Sequence, residues 1–118
     1  MEKILNYIAE SLLSIGPTAS VLEAMHVMDE NRIHSLLVEE SGDYIGIITN
    51  HDISKKVVSE HLTPEKVQVA DIMNFPLIKL ESQESMERAA QVMRDHDVHH
   101  LVVTEHGQML GTLSITDY

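Results

Sequence analysis

Two short stretches of the chain set a hydroxyl and a carboxylate three residues apart: Thr49-Asn50-His51-Asp52 and Ser114-Ile115-Thr116-Asp117. Each stands behind a glycine and two further residues, Gly46-Ile47-Ile48 and Gly111-Thr112-Leu113. Where a strand ends and a helix starts, residues at this spacing can point the same way. The hydroxyl can then donate to a phosphate or ribose oxygen, and the carboxylate can accept two hydroxyls at once, as a ribose diol offers. Backbone amides of a helix start also favour a nearby phosphate. The competing reading is a capping box variant, in which the two side chains satisfy the helix's own free amides. One copy would favour capping. Two copies in register, each behind Gly-x-x, favour ligand binding. On that reading Asp52→Ala weakens binding and spares the fold, because the change lies at an element end.

Histidine is the second chemistry-bearing type, with eight in the chain. Ile33-His34-Ser35-Leu36 and Val98-His99-His100-Leu101 repeat one pattern. Without a ligand, His34 and His99 read as strand residues hydrogen-bonded at a sheet surface. His96, His99 and His100 cluster in sequence, but His99-His100 reads as strand, where neighbours point apart. With no cysteine and no His pair on a firm helix, no metal ligand is assigned. Neither a Gly-x-Ser-x-Gly nor a phosphate-binding or dinucleotide glycine loop occurs, so no catalytic residue is assigned and the chain reads as a non-enzyme. Acidic residues such as Asp29-Glu30 and Glu39-Glu40 read as a solvated face.

The elements that must position these residues come in two copies. A shift of 65 residues lays 12–53 over 77–118 without a gap. Ser20 falls on Ser85, Met28 on Met93, His34 on His99, Gly42 on Gly107, Gly46 on Gly111 and Asp52 on Asp117. Each repeat opens on a short apolar run, followed by Ser20 or Ser85 as an N-cap. Apolar residues then recur at helical spacing, including Met25, Met28, Met86 and Met93, which read as core. Two β-rich runs follow, joined at Gly42 or Gly107. The order is β-α-β-β-α twice, an α/β fold. Residues 1–62 form repeat one with its lead-in, 63–69 a connector and 70–118 repeat two. So small a sheet cannot cover both faces alone, so the halves are expected to pack about a pseudo-two-fold axis with two equivalent clefts. Repeat two stops at Tyr118, without a counterpart of 53–61. That leaves either a piece of a longer protein or a weakened second site.

The bulk numbers set limits. The chain has 118 residues, 43% of them hydrophobic, enough for one domain or two half-domains. A net charge of −11 repels phosphate backbones, and 3% aromatic content offers no stacking platform, so nucleic acid is not an expected partner. No apolar run is long enough to span a membrane, and the N-terminus lacks the apolar core of a signal peptide. The expected place is the cytoplasm.

The Gly-h-h-Thr/Ser-x-x-Asp pattern (h apolar), its duplication, the β-α-β-β-α order and the lead-in Asp71-Ile72-Met73 resemble the tandem CBS (cystathionine β-synthase) domain pair, or Bateman module. The resemblance covers nearly the whole chain. It implies a regulatory module binding AMP, ADP, ATP or S-adenosylmethionine, with no cofactor required. It assigns ligand contact to Thr49, Asp52, Ser114 and Asp117. The histidine stretches resemble Val-His-Arg-Leu in the gamma subunit of AMP-activated protein kinase, where His and Arg reach phosphates. That extends the implied contacts to Ile33, His34, Val98, His99 and His100, with Ser35 and His100 standing where Arg would. An imidazole against a phosphate is favoured in its charged form, so such affinity would be pH-sensitive. The resemblance further implies a homodimer through outward helix faces, with an attached or separate effector domain. The alternative is an interaction or dimerisation module with no small-molecule ligand.

Overall fold

The computed structural model describes residues 2–8 and 12–114. After a 3-10 turn at Ile4–Tyr7 come β1 (Ser14–Ile15), α1 (Val21–Asn31), β2 (Ser35–Glu40) and β3 (Asp43–Thr49). α2 (Asn50–Ile53) continues through a π-wound turn, Ser54–Val58, and a 3-10 turn at Pro64–Lys66 leads to α3 (Val69–Ile72). The second copy consists of β4 (Lys79–Glu81), α4 (Met86–His96), β5 (His100–Glu105) and β6 (Gln108–Ser114). The expected β-α-β-β-α order holds in the first copy, and the second follows it through β-α-β-β to the end of the described residues. There are two three-stranded sheets, β1-β2-β3 and β4-β5-β6, each with a parallel first pair and an antiparallel second pair.

The local causes repeat as well. Ser20 accepts the Glu23 amide at 3.0 Å and Ser85 the Arg88 amide at 3.1 Å, which caps α1 and α4. Both hairpins turn on two residues of positive φ, Ser41 (53°) with Gly42 (86°) and His106 (52°) with Gly107 (82°). That geometry matches the right-handed twist of the flanking strands.

The chain forms two compact units that do not follow the repeat boundaries. One unit is 13–77. Its core joins Val21, Ala24 and Met28 of α1, Leu36, Val38 and Ile48 of the sheet, Ile53 and Val57, and then Val69 and Ile72 of α3. The other combines the described residues before Leu13 with those after Leu77. There Ile4, fully buried, packs with Ala89, Met93, Leu101, Val103 and Leu113. Each lead-in is stitched in by backbone bonds, Val69 N–H to Ala19 O at 2.9 Å and Ile4 N–H to Glu84 O at 3.0 Å. So Asp71-Ile72-Met73, which reads in sequence as the opening of repeat two, completes the first unit. The apolar side chains of each lead-in fill a core built by the other repeat's sheet and helix. No helix among the described residues is long and apolar enough to cross a membrane.

Candidate functional site

Both candidate histidines follow a helix end of one design. Arg32 (φ 55°) donates to Asp29 O at 3.3 Å, and Ile33 N–H reaches Met28 O at 3.0 Å. Asp97 (φ 53°) and Val98 do the same with Arg94 O and Met93 O. This is the Schellman closure, in which the residue after the left-handed one makes an apolar contact with the last turn. Ile33 and Val98 both pack on their cores. Helix termination therefore accounts for these two residues without a ligand. It also delivers His34 to the foot of β2. There His34 O accepts the Asn50 amide at 3.0 Å, and the Asn50 side-chain nitrogen lies 3.1 Å from His34 Nδ1. With Nδ1 accepting, Nε2 is the ring's donor.

Thr49 and Asp52 form a full capping box at the start of α2. Asp52 N–H donates to Thr49 Oγ1 at 3.2 Å, while the Thr49 amide (2.9 Å) and hydroxyl (2.8 Å) both donate to Asp52 Oδ2. The hydroxyl has one proton, and it goes to Asp52 rather than outward. Two residues outside the motif join them. Asn74 Nδ2 donates to Oδ2 at 2.7 Å, and Lys56 Nζ lies 3.2 Å from Oδ1. Lys56 also donates to Ile72 O at 2.8 Å. Asp52 is 4% exposed and Thr49 is buried.

The motif glycine explains how Asn74 gets there. Asn74 pairs with Ile47 in an isolated antiparallel bridge, with N–H to O distances of 2.8 and 3.0 Å. A Cβ on Gly46 would stand 2.8 Å from Asn74 O and 2.9 Å from Met73 Sδ. Only glycine admits the 73–74 backbone so close.

Beside this turn, an open cavity of about 680 Å³ lies between α1 and α2. Leu22, Met25, Ile33, Ile53 and Val58 supply apolar lining, while Arg32, His34, Asn50 and Ser54 bring polar groups. The first unit thus joins His34, Ile33 and Asn50 on one surface and keeps Thr49 and Asp52 in the buried network behind it. In the second unit, Ser114 pairs with His100 across β5 and β6, as Thr49 pairs with Ser35. His100 is 6% exposed, Val98 is half-buried, and His99 stands just before β5. Asp117 lies outside the described residues. No group of three or more His, Cys, Asp or Glu among the described residues could hold a metal.

Sequence reasoning did not single out Asn50, Lys56 or Asn74. Lys56 stands four residues after Asp52, ion-pair spacing on a helix. Asn74 carries no local signal, because it arrives by the lead-in exchange.

The chain belongs to the CBS domain family, which matches residues 4–59 and again 69–118. An uncharacterized protein of Methanopyrus kandleri is 34% identical over 104 residues, covering 86% of this chain and 53% of that protein. The chain therefore spans about half the length of that relative. An uncharacterized conserved protein of Pyrococcus horikoshii superposes with a TM-score of 0.81 at 28% identity, over 97% of this chain and 89% of that one. A CBS-domain protein of Burkholderia ambifaria, provisionally assigned to signal transduction, gives 0.79 at 27% identity, over 94% and 84%. CBS-domain pairs are commonly regulatory or signal-transduction modules.

Proposed function

We propose that the chain is a non-catalytic regulatory module that senses an adenosine-containing ligand: AMP, ADP, ATP or S-adenosylmethionine. The observation that carries this reading is the turn at Thr49–Asp52, which holds the motif carboxylate two residues along the chain from Asn50, whose side-chain amide meets the His34 imidazole at 3.1 Å. A ribose hydroxyl suits the first and a phosphate the other two. Thermal shift with the four ligands tests it, since a ligand at about 100 times its Kd stabilises by about 2.7 kcal/mol. An effector domain, attached or separate, is the proposed recipient of the signal.

One observation favours a second reading, an interaction module without a small ligand. Thr49 and Asp52 already satisfy each other, while an apolar-walled groove runs between α1 and α2. A second copy of the chain is its proposed occupant. Of the methionines at helical spacing, Met28 (2% exposed) and Met93 (0%) belong to their own cores and offer nothing to a partner. A homodimer would instead use Met25, Leu22 and Val58.

A further inference from the structure

We infer that Asn74 and Lys56 are positioning residues of the candidate site, which hold the Asp52 carboxylate in place and, together with Thr49, restrict it to a single ligand hydroxyl. The identity of that ligand rests on the adenosine reading above; the positioning does not. An ionised carboxylate offers about four acceptor positions, two on each oxygen. Oδ2 already takes the Thr49 amide, the Thr49 hydroxyl and the Asn74 amide, at 2.9, 2.8 and 2.7 Å. Oδ1 takes Lys56 at 3.2 Å, which leaves it one position. A diol gripping both oxygens would have to displace Asn74 and one of the two Thr49 donors.

Asn74 is not a loose surface group that yields at no cost. Its backbone is bridged to Ile47 through both its N–H and its C=O, and Gly46 leaves the room that its carbonyl needs. Lys56 adds a second tie, because its ammonium links Asp52 Oδ1 to Ile72 O at 2.8 Å and lies 3.4 Å from Asn74 Oδ1. Three segments thus meet on one buried carboxylate: the end of β3, the turn after α2 and the stretch that follows α3. The positioning residues come from the last two, which the Gly-h-h-Thr-x-x-Asp motif does not contain.

The test uses the full chain in two arms. In the first, amide hydrogen exchange follows the Thr49 amide, which bonds Asp52 Oδ2, and the Asn74 amide, which bonds Ile47 O, in wild type, Lys56→Met and Asn74→Ala. The inference expects Thr49 to exchange about tenfold faster in both variants, the size of losing part of a charge-assisted hydrogen bond. A Thr49 amide that keeps its wild-type rate in both variants overturns it, even if the Asn74 amide speeds up, because the two residues would then be clipping the chain and not holding the carboxylate. In the second arm, AMP and 2′-deoxy-AMP are titrated calorimetrically. Asn74→Ala combined with Thr49→Val leaves Oδ2 with the residue-49 amide as its one donor and opens a second acceptor position, so the double variant's preference for AMP over the deoxy form should rise about tenfold above wild type. An unchanged preference overturns the single-hydroxyl limit. If wild type binds neither nucleotide, the adenosine reading fails and the exchange arm still decides the positioning.

Discussion

At the scale of the residue, Asp52 has two properties that the sequence does not separate. Read as the last residue of a motif at an element end, it invites the expectation that Asp52→Ala spares the fold. Buried and holding together Thr49, Asn74 and Lys56, it does not fit that expectation. The substitution removes a cap, worth about 1 kcal/mol, and leaves the Asn74 amide without its acceptor. Lys56 is 37% exposed, so its share is small. We expect a loss of about 2–3 kcal/mol in urea unfolding, with stability within about 0.5 kcal/mol of wild type as the contrary result. Gly46→Ala tests the same network from its other side. The added methyl meets Asn74 O at 2.8 Å, backbone that cannot swing away. It should cost about 1–3 kcal/mol, as overpacking does, whereas Gly16→Ala, with nothing within 4 Å, should not.

At the scale of the element, the sign of φ decides the outcome of substitution at the turns. Arg32 closes α1 at φ 55°, where glycine is the unstrained choice. Arg32→Gly should therefore raise stability by about 1 kcal/mol. Gly42→Ala, at φ 86°, should lower it by a similar amount, about 1 kcal/mol. Differential scanning calorimetry reads both, and shifts of the same sign would refute the argument. These elements also mark how far the sequence could be read. The N-caps at Ser20 and Ser85 and the hairpin glycines are local features, and each appears where its local chemistry requires. The Schellman ends were not legible, because Arg32 and Asp97 occupy places where a glycine would have given the signal. The capping box at Thr49 was legible as one of two readings, and the fold realises it without excluding the other. Asn74 could not be read at all, because the contact spans 22 residues and depends on a lead-in crossing into the other repeat's core.

At the scale of the whole molecule, the duplication was legible because the gap-free match of 12–53 with 77–118 needs no structural knowledge. The exchange of lead-ins was not, because apolar patterning says that Ile4, Val69 and Ile72 are buried but not in which core. Self-association belongs to this scale. If the groove between α1 and α2 is covered by a second copy, light scattering at tens of micromolar should give twice the mass of one chain, and Met25→Glu should return it to a single chain. A single-chain mass for the wild type contradicts the dimer. The central claim, that this CBS-domain pair senses an adenosine-containing ligand, is tested most directly by isothermal titration of the full chain with AMP, ADP, ATP and S-adenosylmethionine in turn. The account predicts a saturable heat for at least one of them, with a dissociation constant between micromolar and millimolar. Flat titrations with all four would contradict it.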